Sequence, residues 1–303
     1  MKIAILMSTY NGHKYLNEQM ESLANQTLKD SMTIYVRDDG SSDDTIEIIE
    51  KWSKRIDIVL YKGKNVGPAK SFWELFMNPE IQADYYALCD QDDVWDEDKI
   101  QKGIFAIKKY ENEPMLWCTN CRLIDGMGEI IRKKMNIEKL DFTIASQLVC
   151  GTTQGCAMLF NDSLRRYIFG KSPKIFPMHD FVIITYAIAV GKVVYDEEPS
   201  FSYRVHGNNV VAKNEKSVTK RIKCSMKIWF SNEHRGELSR FSEVLLKDNE
   251  KYIDKTTSDY IKNLVRSKKN IFLRFKIIFD PLTKTSNKAA LLSFRKRCFL
   301  GII

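Results

Sequence analysis

The sequence lacks an apolar run long enough to cross a bilayer, since no stretch reaches roughly 18 uninterrupted apolar residues. The longest such run, from Phe181 to Val190, stops well short of that length. The apolar stretch at residues 1–7 is too short for a signal peptide, and polar residues follow it at once. We therefore expect a cytoplasmic protein without a membrane-spanning helix.

The seven cysteines lack the arrangement of a metal centre. Cys118 and Cys121 have the spacing of a metal or redox pair, but no second pair or nearby histidine completes a zinc site. Their odd number and apolar surroundings are typical of reduced, buried thiols in an intracellular protein. We interpret them as structural.

Two motif classes are also missing. Residues 8–12 do not form the glycine- and lysine-rich phosphate loop that a nucleotidyltransferase usually carries near its start. No nucleic-acid-binding motif accompanies the basic C-terminal residues, and the first part of the chain is acidic. We therefore predict no nucleic-acid partner.

Charge divides the chain into two parts. Residues 216–303 carry 21 Lys and Arg against 8 Asp and Glu, whereas residues 1–215 carry 26 against 31. This asymmetry predicts a domain at 1–215 and a helical basic C-terminal region at 216–303. Cations alternate with large apolar residues in 268–279 and 291–300, which indicates an anionic membrane surface as partner. Packing on the first domain and a homodimer contact are the alternatives.

Strand and helix patterns alternate along the first half of the chain. Short apolar runs predict strands at residues 3–7, 33–36, 56–61 and 85–89. Between them, apolar residues recur at helical spacing, as Thr45, Ile48, Ile49 and Trp52 do. This alternation favours an α/β fold with a parallel sheet, in which ligands gather at the carboxyl ends of the strands.

A loop with three carboxylates follows the fourth predicted strand. Asp90, Asp92 and Asp93 repel one another, and their natural partner is a hard divalent cation. Mg²⁺ held by carboxylates usually completes its shell with water and substrate phosphates, so a nucleotide diphosphate is expected beside it. The alternative is a solvated turn in which Asp92 or Asp93 caps a helix beginning near Asp96.

Six ordered motifs within residues 1–212 carry a family resemblance. They are Ser8-Thr9-Tyr10-Asn11-Gly12, Val36-Arg37-Asp38-Asp39-Gly40-Ser41-Ser42-Asp43-Asp44-Thr45, Asn65-Val66-Gly67, Asp90-Gln91-Asp92-Asp93-Val94-Trp95, Met178-His179-Asp180 and Tyr203-Arg204-Val205-His206-Gly207-Asn208-Asn209. Together they resemble glycosyltransferase family 2, and within it the rhamnosyltransferase-like branch that builds bacterial capsule, O-antigen or cell-wall polysaccharide. The resemblance implies a GT-A nucleotide-binding domain with a mixed, largely parallel sheet.

The resemblance also implies a nucleotide-binding set. Thr9, Asp38 and Asp39 are expected to hold the base, with Asp39 accepting a hydrogen bond from the ring N–H of uracil or thymine. Asp90 is expected to face the ribose or the metal. The alternative for Asp38 and Asp39 is a turn followed by a helix cap at Ser41 or Ser42.

For the metal, Mn²⁺ or Mg²⁺, the resemblance implies Asp92 as principal ligand and His206 as a further metal or phosphate contact. Arg204 is expected either to pair with phosphate or to brace its loop. Gln154 falls in a segment that looks like the acceptor-side loop of the family.

Asp180 is the expected catalytic base of an inverting transfer, because it matches the acidic residue that the family uses to deprotonate the acceptor hydroxyl. His179, beside it, is a candidate phosphate or acceptor contact. The alternative for Asp180 is a helix N-cap after Pro177.

The implied donor is a dTDP- or UDP-linked sugar, with dTDP-rhamnose first and a UDP-hexose second. The implied acceptor is a glycan or lipid-linked glycan. A protein that binds sugar nucleotides without catalysis is the remaining alternative. With a basic tail on the membrane, the enzyme would act peripherally on the inner face of the plasma membrane.

Overall fold

The computed structural model describes residues 1–174, 178–206 and 236–303. The chain divides into two compact units. The first unit comprises Met1–Ile137, Thr153–Ser172 and Gly191–Val205. The second comprises Glu138–Thr152, Pro173–Val190 and His206–Ile303. The predicted boundary between residues 215 and 216 lies outside the described residues, so the division 1–215 and 216–303 stays a prediction.

The first unit is built on one mixed sheet, and its described strands are rich in buried aliphatic and aromatic residues. The strands are β1 (Ile3–Thr9), β2 (Met32–Asp38), β3 (Ile58–Lys62), β4 (Tyr85–Cys89), β5 (Val94–Trp95), β6 (Met115–Ile124), β7 (Ile130–Arg132), β8 (Met158–Asn161) and β9 (Lys192–Arg204). β1 and β4 are buried along almost their whole length, as expected for strands covered on both faces.

The strand order is β3-β2-β1-β4-β8-β6-β9-β5, and β7 pairs with β6. Strands β1 to β4 pair in parallel, and so do the long strands β6 and β9. Each antiparallel pairing spans only two or three positions. The prediction of an α/β fold with a mixed, largely parallel sheet is therefore confirmed.

All four predicted strands are present, although three of them have different bounds. β1 and β2 each continue two residues further than predicted, because their polar ends still pair in register, Thr9 beside Asp38. Met7 pairs with Cys89 on the other side of β1. The loops after β1, β2 and β4 therefore open at the same end of the sheet, where ligands of such sheets bind.

The described residues contain eleven α-helices and four single 3₁₀ turns. The helices are α1 (Leu16–Ala24), α2 (Thr45–Trp52), α3 (Pro68–Phe76), α4 (Lys99–Ile107), α5 (Ile144–Val149), α6 (Asp162–Lys171), α7 (His179–Val190), α8 (Glu237–Asn249), α9 (Lys255–Ser267), α10 (Ile271–Ile278) and α11 (Lys288–Leu300). The 3₁₀ turns are Lys29–Ser31, Lys108–Tyr110, Gly155–Ala157 and Glu250–Tyr252.

Helix α2 buries the face that the sequence predicts, including Ile48, Ile49 and Trp52. Its N-cap position is Asp44, so the alternative of a cap at Ser41 or Ser42 is wrong. Residues 39–43 form the loop between β2 and this N-cap residue, and hydrogen bonds to Asn11 hold the loop in place.

Helix α4 also begins later than predicted, at Lys99 after the N-cap residue Asp98. Strand β5 lies between the acidic loop and this helix and pairs with β9. The alternative in which Asp92 or Asp93 caps a helix near Asp96 is therefore wrong. Helix capping therefore does not account for the three acids of the loop after β4.

The described part of the second unit is helical, with α5 and α7 to α11. Most of α7 is buried, and its apolar sequence is that of a core helix. The Tyr186 hydroxyl donates to Asp248 at 2.6 Å, and the rings of Phe181 and Phe241 pack edge to face, which joins α7 to α8. The predicted helical C-terminal region is confirmed, and none of the described helices combines the length and apolarity that a membrane span requires.

The close packing of the first unit can be tested at Gly191. A Cβ at this position would lie 1.9 Å from the Pro114 carbonyl oxygen, and backbone cannot move aside cheaply. We expect Gly191→Ala to lower the free energy of unfolding by about 1–3 kcal/mol, measured by denaturant titration. The matched control is Gly170→Ala in α6, where a Cβ meets no atom within 4 Å. Equal stabilities of the two variants would contradict the predicted close contact.

Candidate active site

The loop after β1 is fastened to the loop after β2 by side-chain hydrogen bonds. The backbone N–H of Asn11 donates to Ser41 Oγ at 2.9 Å, and Asn11 Oδ1 accepts from the backbone N–H of Ser42 at 2.9 Å. The backbone N–H of Gly12 donates to Thr45 Oγ1 at 2.8 Å. These bonds satisfy backbone groups outside the sheet and fix the two loops relative to each other.

One side chain, Gln91, joins the loop after β1 to the acidic loop after β4. Its Oε1 accepts from the backbone N–H of Tyr10 at 2.9 Å, and its Nε2 donates to the Tyr10 carbonyl oxygen at 3.1 Å. Because β1 and β4 are parallel neighbours, the two loops emerge side by side. Gln91 thus positions the acidic loop, a role that the sequence pattern did not reveal.

Thr9 and Asp38 come together at this end of the sheet. Thr9 Oγ1 and Ser41 Oγ both donate to Asp38 Oδ2, at 3.0 and 2.6 Å. Asp38 Oδ1 accepts from the backbone N–H groups of Gly40 and Ser41. Both carboxylate oxygens therefore hold the turn, and contact of Thr9 and Asp38 with a nucleotide base stays a prediction.

Asp39 is also buried, and it clamps a different loop. Its carboxylate accepts from Arg37 Nη1 at 2.5 Å and from the backbone N–H groups of Val66 and Gly67 at 2.9 Å each. Gly67 has a φ of 83°, a conformation that glycine adopts at little cost. Two of the family-like motifs thus meet through this carboxylate, and recognition of a base by Asp39 stays a prediction.

Three potential ligand groups converge at the acidic loop. One carboxylate oxygen of Asp90, one of Asp93 and the Sγ of Cys156 lie within 4.8 Å of one another. Asp90 is half-buried, whereas Asp93 and Cys156 are fully buried. Asp92, the predicted principal ligand, does not belong to this group in the described part of the chain. The sequence indicated Asp93 as one of three acids that could share a cation, but it did not identify Cys156 as their neighbour.

The Asp93 carboxyl group is in an electrostatically unfavourable place. Burial, followed by the charges of Asp90 and Asp92, raises the pKa of Asp93 well above its ordinary value. Its Oδ1 accepts from the backbone N–H of Arg204 at 3.3 Å. No N–H or O–H donor of the described residues reaches its buried Oδ2. A proton or a cation would relieve this cost, because either one removes the repulsion among the acids.

A buried ammonium group, Lys99, lies beside this cluster and was also missed. Lys99 Nζ donates to the Cys156 carbonyl oxygen at 2.8 Å and stands 3.4 Å from the centroid of the Trp95 ring. Burial lowers the pKa of Lys99 to about 8. Helical spacing provides a signal that could have found it, since Lys99 falls on the buried face of α4 with Ile100 and Ile104.

Arg204 is fully buried and braces several loops. Its Nε donates to the Asp92 carbonyl oxygen at 2.9 Å, and its Nη1 donates to that of Asp125 at 3.3 Å. Its Nη2 donates to Glu18 Oε2 at 2.5 Å, and the guanidinium stands 4.6 Å from the centroid of the Tyr15 ring. Of the two predicted roles, these contacts favour bracing; pairing with phosphate stays a prediction.

Gln154 lies against sulfur atoms, since its Nε2 is 3.0 Å from Met135 Sδ and 3.5 Å from Cys121 Sγ. Its predicted acceptor contact is untested by these bonds and stays a prediction. Burial raises the pKa of Cys118 and that of Cys121, the latter to about 12. Both are therefore thiols at neutral pH, which supports their interpretation as structural residues.

The other predicted site residues belong to the second unit. Asp180 is the second residue of α7 and its Oδ1 lies 2.7 Å from the backbone N of Phe181, so it sits within the first turn and is not the N-cap. His179 is buried, and burial lowers its pKa, although Asp180 acts in the opposite direction. His206 is half-buried, and residues 207–209 of its motif lie outside the described residues. The catalytic and ligand roles of these side chains stay predictions.

The fold is that of GT-A glycosyltransferases. It superposes on the crystal structure of Staphylococcus aureus TarS 1–349 in complex with UDP-GlcNAc with a TM-score of 0.64, at 14% identity, covering 100% of this chain and 82% of that one. It also superposes on the mannosyltransferase PcManGT from Pyrobaculum calidifontis in complex with GDP-Man and Mn²⁺, with a TM-score of 0.55 at 13% identity, covering 98% and 86%. At these identities the likeness concerns the fold.

Sequence similarity identifies the family within this fold class. The sequence model of glycosyl transferase family 2 matches residues 4–168, which is more than half of the chain. The chain belongs to glycosyl transferase family 2 and is a glycosyltransferase enzyme. It is similar to the dTDP-rhamnosyl transferase RfbG of Shigella flexneri, with 25% identity over 261 residues that cover 80% of this chain and 86% of that protein.

The brace formed by Arg204 can be tested by Arg204→Gln. This change removes a buried guanidinium and its bonds to three groups, so we expect a loss of about 2–3 kcal/mol in the free energy of unfolding. The matched control is Arg166→Gln, which breaks a bond to Asp162 from a side chain that is 73% exposed. Such surface pairs contribute about 0–1 kcal/mol. Similar losses in the two variants, measured by denaturant titration, would refute the brace.

Proposed function

We propose that the chain is an inverting, divalent-cation-dependent transferase that moves a sugar from a nucleotide-sugar donor to a growing, lipid-linked polysaccharide. Two observations carry the proposal: one carboxylate oxygen of Asp90 and one of Asp93 lie within 4.8 Å of each other at the end of β4, and the buried Oδ2 of Asp93 receives no hydrogen bond from a described N–H or O–H group. Gln91 ties this loop to the loop that holds Thr9. Acids that lie beside a loop predicted to bind the nucleotide would hold a divalent cation, and that cation would bind the diphosphate of the donor.

The donor set fits Mg²⁺ or Mn²⁺, because these hard cations take oxygen ligands. Asp90 and Asp93 would hold the ion, with Asp92 and His206 as further ligands from the family motifs. Burial raises the pKa of Cys156 well above its ordinary value, and a protonated thiol is a poor ligand for a hard cation. When bound, the cation would neutralise charge on the leaving diphosphate.

Asp180 is the proposed general base, on the strength of its motif. The oxygen of the acceptor hydroxyl forms the new bond to C1 of the sugar, and its proton passes to the Asp180 carboxylate. The bond between C1 and the diphosphate oxygen breaks on the opposite side, so the configuration at C1 inverts. No covalent intermediate on the enzyme is required.

The proposed donor is dTDP-rhamnose, because the similarity to a dTDP-rhamnosyl transferase extends over 80% of the chain. Thr9, Asp38, Asp39 and Asp90 are proposed to bind its nucleoside. A UDP-hexose is the second candidate, since the TarS structure that shares the fold contains UDP-GlcNAc. Uracil and thymine both present the imide N–H that a carboxylate accepts.

Gln154 and His179 are proposed to contact the acceptor or a phosphate, and His206 to contact the diphosphate or the metal. Arg204 is the weakest candidate for a phosphate contact, because it is fully buried and all three of its nitrogens already donate in the brace. The acceptor would be a precursor of capsule, O-antigen or cell-wall polysaccharide. We place the reaction in the cytoplasm, at the inner face of the plasma membrane.

The metal site is tested by replacing its acids one at a time. Asp90→Asn and Asp93→Asn should each weaken Mn²⁺ binding by about tenfold or more, because an amide has no charge to hold the ion. Binding is measured by calorimetry with and without dTDP, and chelation of the metal should abolish donor turnover. Asp93→Asn should remain folded, since it removes a costly buried acid.

The control for the metal site is Asp98→Asn, a side chain that is 44% exposed at the start of α4. It should bind Mn²⁺ like the wild type. Unchanged affinity in both the Asp90 and Asp93 variants would refute the site. A loss confined to Asp92→Asn would make Asp92 the principal ligand.

Asp180→Asn should slow transfer by about 10²–10⁴-fold while leaving donor binding intact, because only the proton acceptor is lost. The donor is first identified by hydrolysis of a panel of dTDP- and UDP-sugars with and without Mn²⁺, and transfer is then followed by release of nucleotide diphosphate. Asp259→Asn, an exposed acid of the second unit, is the control. Near-wild-type turnover of Asp180→Asn would exclude it as the base.

A further inference from the structure

Helices α10 and α11 of the second unit expose an unusual amount of apolar surface. Phe272 is 81% exposed and Phe279 is 74% exposed, and five further large apolar residues of these two helices are exposed. We define the C-terminal apolar face as Phe272, Phe275, Phe279, Leu292, Phe299 and Leu300. Single exposed apolar residues are ordinary, but a contiguous group of this kind marks an interaction surface.

The face is continuous across the two helices. Phe275 and Phe299 pack edge to face with ring centroids 6.0 Å apart. Both rings line a groove of about 450 Å³, which is otherwise bordered by apolar side chains and by the cations Arg295 and Lys296. Phe272 and Phe279 lie three residues before and four residues after Phe275, so helical spacing keeps them on the same side of α10.

Each of the two helices also has buried residues. α10 buries Ile277, which lies about half a turn away from Phe275 and Phe279, and α11 buries Phe294 and Cys298. Ile278 is also buried and borders the groove. Arg274 fixes the pair, since its Nη1 donates to the Phe299 carbonyl oxygen at 3.1 Å. The same guanidinium donates to the Ser267 carbonyl oxygen through Nε at 3.1 Å. The apolar face is therefore presented by an anchored pair of helices.

The segment that carries this face is strongly basic. Residues 268–303 contain nine Lys and Arg and a single acid, Asp280, so this short segment has a net charge of +8. Lys276 lies on the exposed side of α10, and Lys296 on that of α11, where it also lines the groove. The occupant must therefore combine an apolar interior with negative charge at its surface.

We propose that the C-terminal apolar face docks on an anionic lipid bilayer, with the phenylalanine rings in the headgroup boundary and the cations on lipid phosphates. A bilayer offers both properties at once, because acyl chains lie directly beneath acidic headgroups. A second copy of the chain fits less well. A two-fold contact would place the same surface of each copy against the other, and thus two segments of charge +8 together.

This inference goes beyond the proposed reaction and does not depend on it. Vesicle binding without sugar transfer would support the docking surface and contradict the proposed reaction. Sugar transfer without vesicle binding would support the reaction and contradict the docking surface. Donor hydrolysis in solution reports on the reaction, and co-flotation with vesicles reports on the surface. For an acceptor anchored in lipid, docking would hold the enzyme within reach of its substrate.

The test uses the full chain with vesicles of phosphatidylcholine alone or mixed with phosphatidylglycerol. The wild type should float with the mixed vesicles at low salt, bind far less to pure phosphatidylcholine, and dissociate as salt screens the charges. The double variant Phe272→Ser/Phe279→Ser should bind the mixed vesicles at least about tenfold more weakly, because two large apolar side chains are lost. Lys276→Glu/Lys296→Glu should lose the preference for anionic lipid.

Matched controls come from the first unit. Phe105→Ser removes a ring that is 73% exposed on α4, and Lys108→Glu/Lys109→Glu makes the same charge change on exposed residues there. Both controls should float like the wild type, and all variants should keep the thermal stability and donor hydrolysis of the wild type. Absence of flotation of the wild type at low salt would overturn the proposal. So would a concentration-dependent dimer that the phenylalanine variants abolish while vesicle binding is unchanged.

Discussion

Asp93 places a carboxyl group out of reach of water and next to two further acids, and the local structure of the first unit is arranged around that electrostatic cost. The backbone of Arg204 supplies one hydrogen bond to this group, while the Arg204 side chain holds the carbonyl of Asp92. Lys99 contributes a buried positive charge next to Cys156, since its Nζ donates to the Cys156 carbonyl oxygen. Such an arrangement is unfavourable by itself and becomes favourable once a counter-charge arrives, as is common at functional sites.

The same constraint explains why the loops are so heavily cross-linked. A cluster of like charges would spread apart on a mobile loop, and the binding of a cation would then have to pay for ordering it. Gln91 prevents this by bonding both backbone groups of Tyr10. Asn11 extends the network to Ser42. The loops after three parallel strands thus form one preorganised surface, which suits a site whose chemistry is mainly electrostatic.

Much of this fold follows from short-range sequence patterns. Continuous apolar runs identify β1 and β4 because both faces of these strands are covered, and helical spacing identifies the buried face of α2. The polar ends of β1 and β2 were missed, since pairing between Thr9 and Asp38 is a property of two strands and is invisible in either alone. Strands β6, β8 and β9 pair with strands that are distant in sequence, so local patterns say little about them.

The sequence predicted which loops form the candidate site, but it did not predict which of their side chains lie close together. The sequence indicated Asp90, Asp92 and Asp93 as candidate ligands of a cation, and the family resemblance favoured Asp92 as the principal one, whereas the structure brings Asp90 together with Asp93. Cys156 could not be foreseen as their neighbour, because it precedes β8, a strand that is distant from the acidic loop in sequence but pairs with β4 in the sheet. The burial of Lys99 could have been predicted from the sequence. Helical spacing places it on the same face of α4 as the buried apolar residues, and a charged residue follows that spacing in the same way.

The route of the chain through β6 has a consequence for biosynthesis. β6 lies between β8 and β9, and its parallel partner β9 is supplied by residues that follow more than 60 positions later. While a ribosome is still translating the intervening helices, the apolar sequence of β6 has one long edge without a neighbour, which is a template for association between nascent chains. A fragment that stopped at residue 168, where the family match ends, would keep that exposed edge permanently.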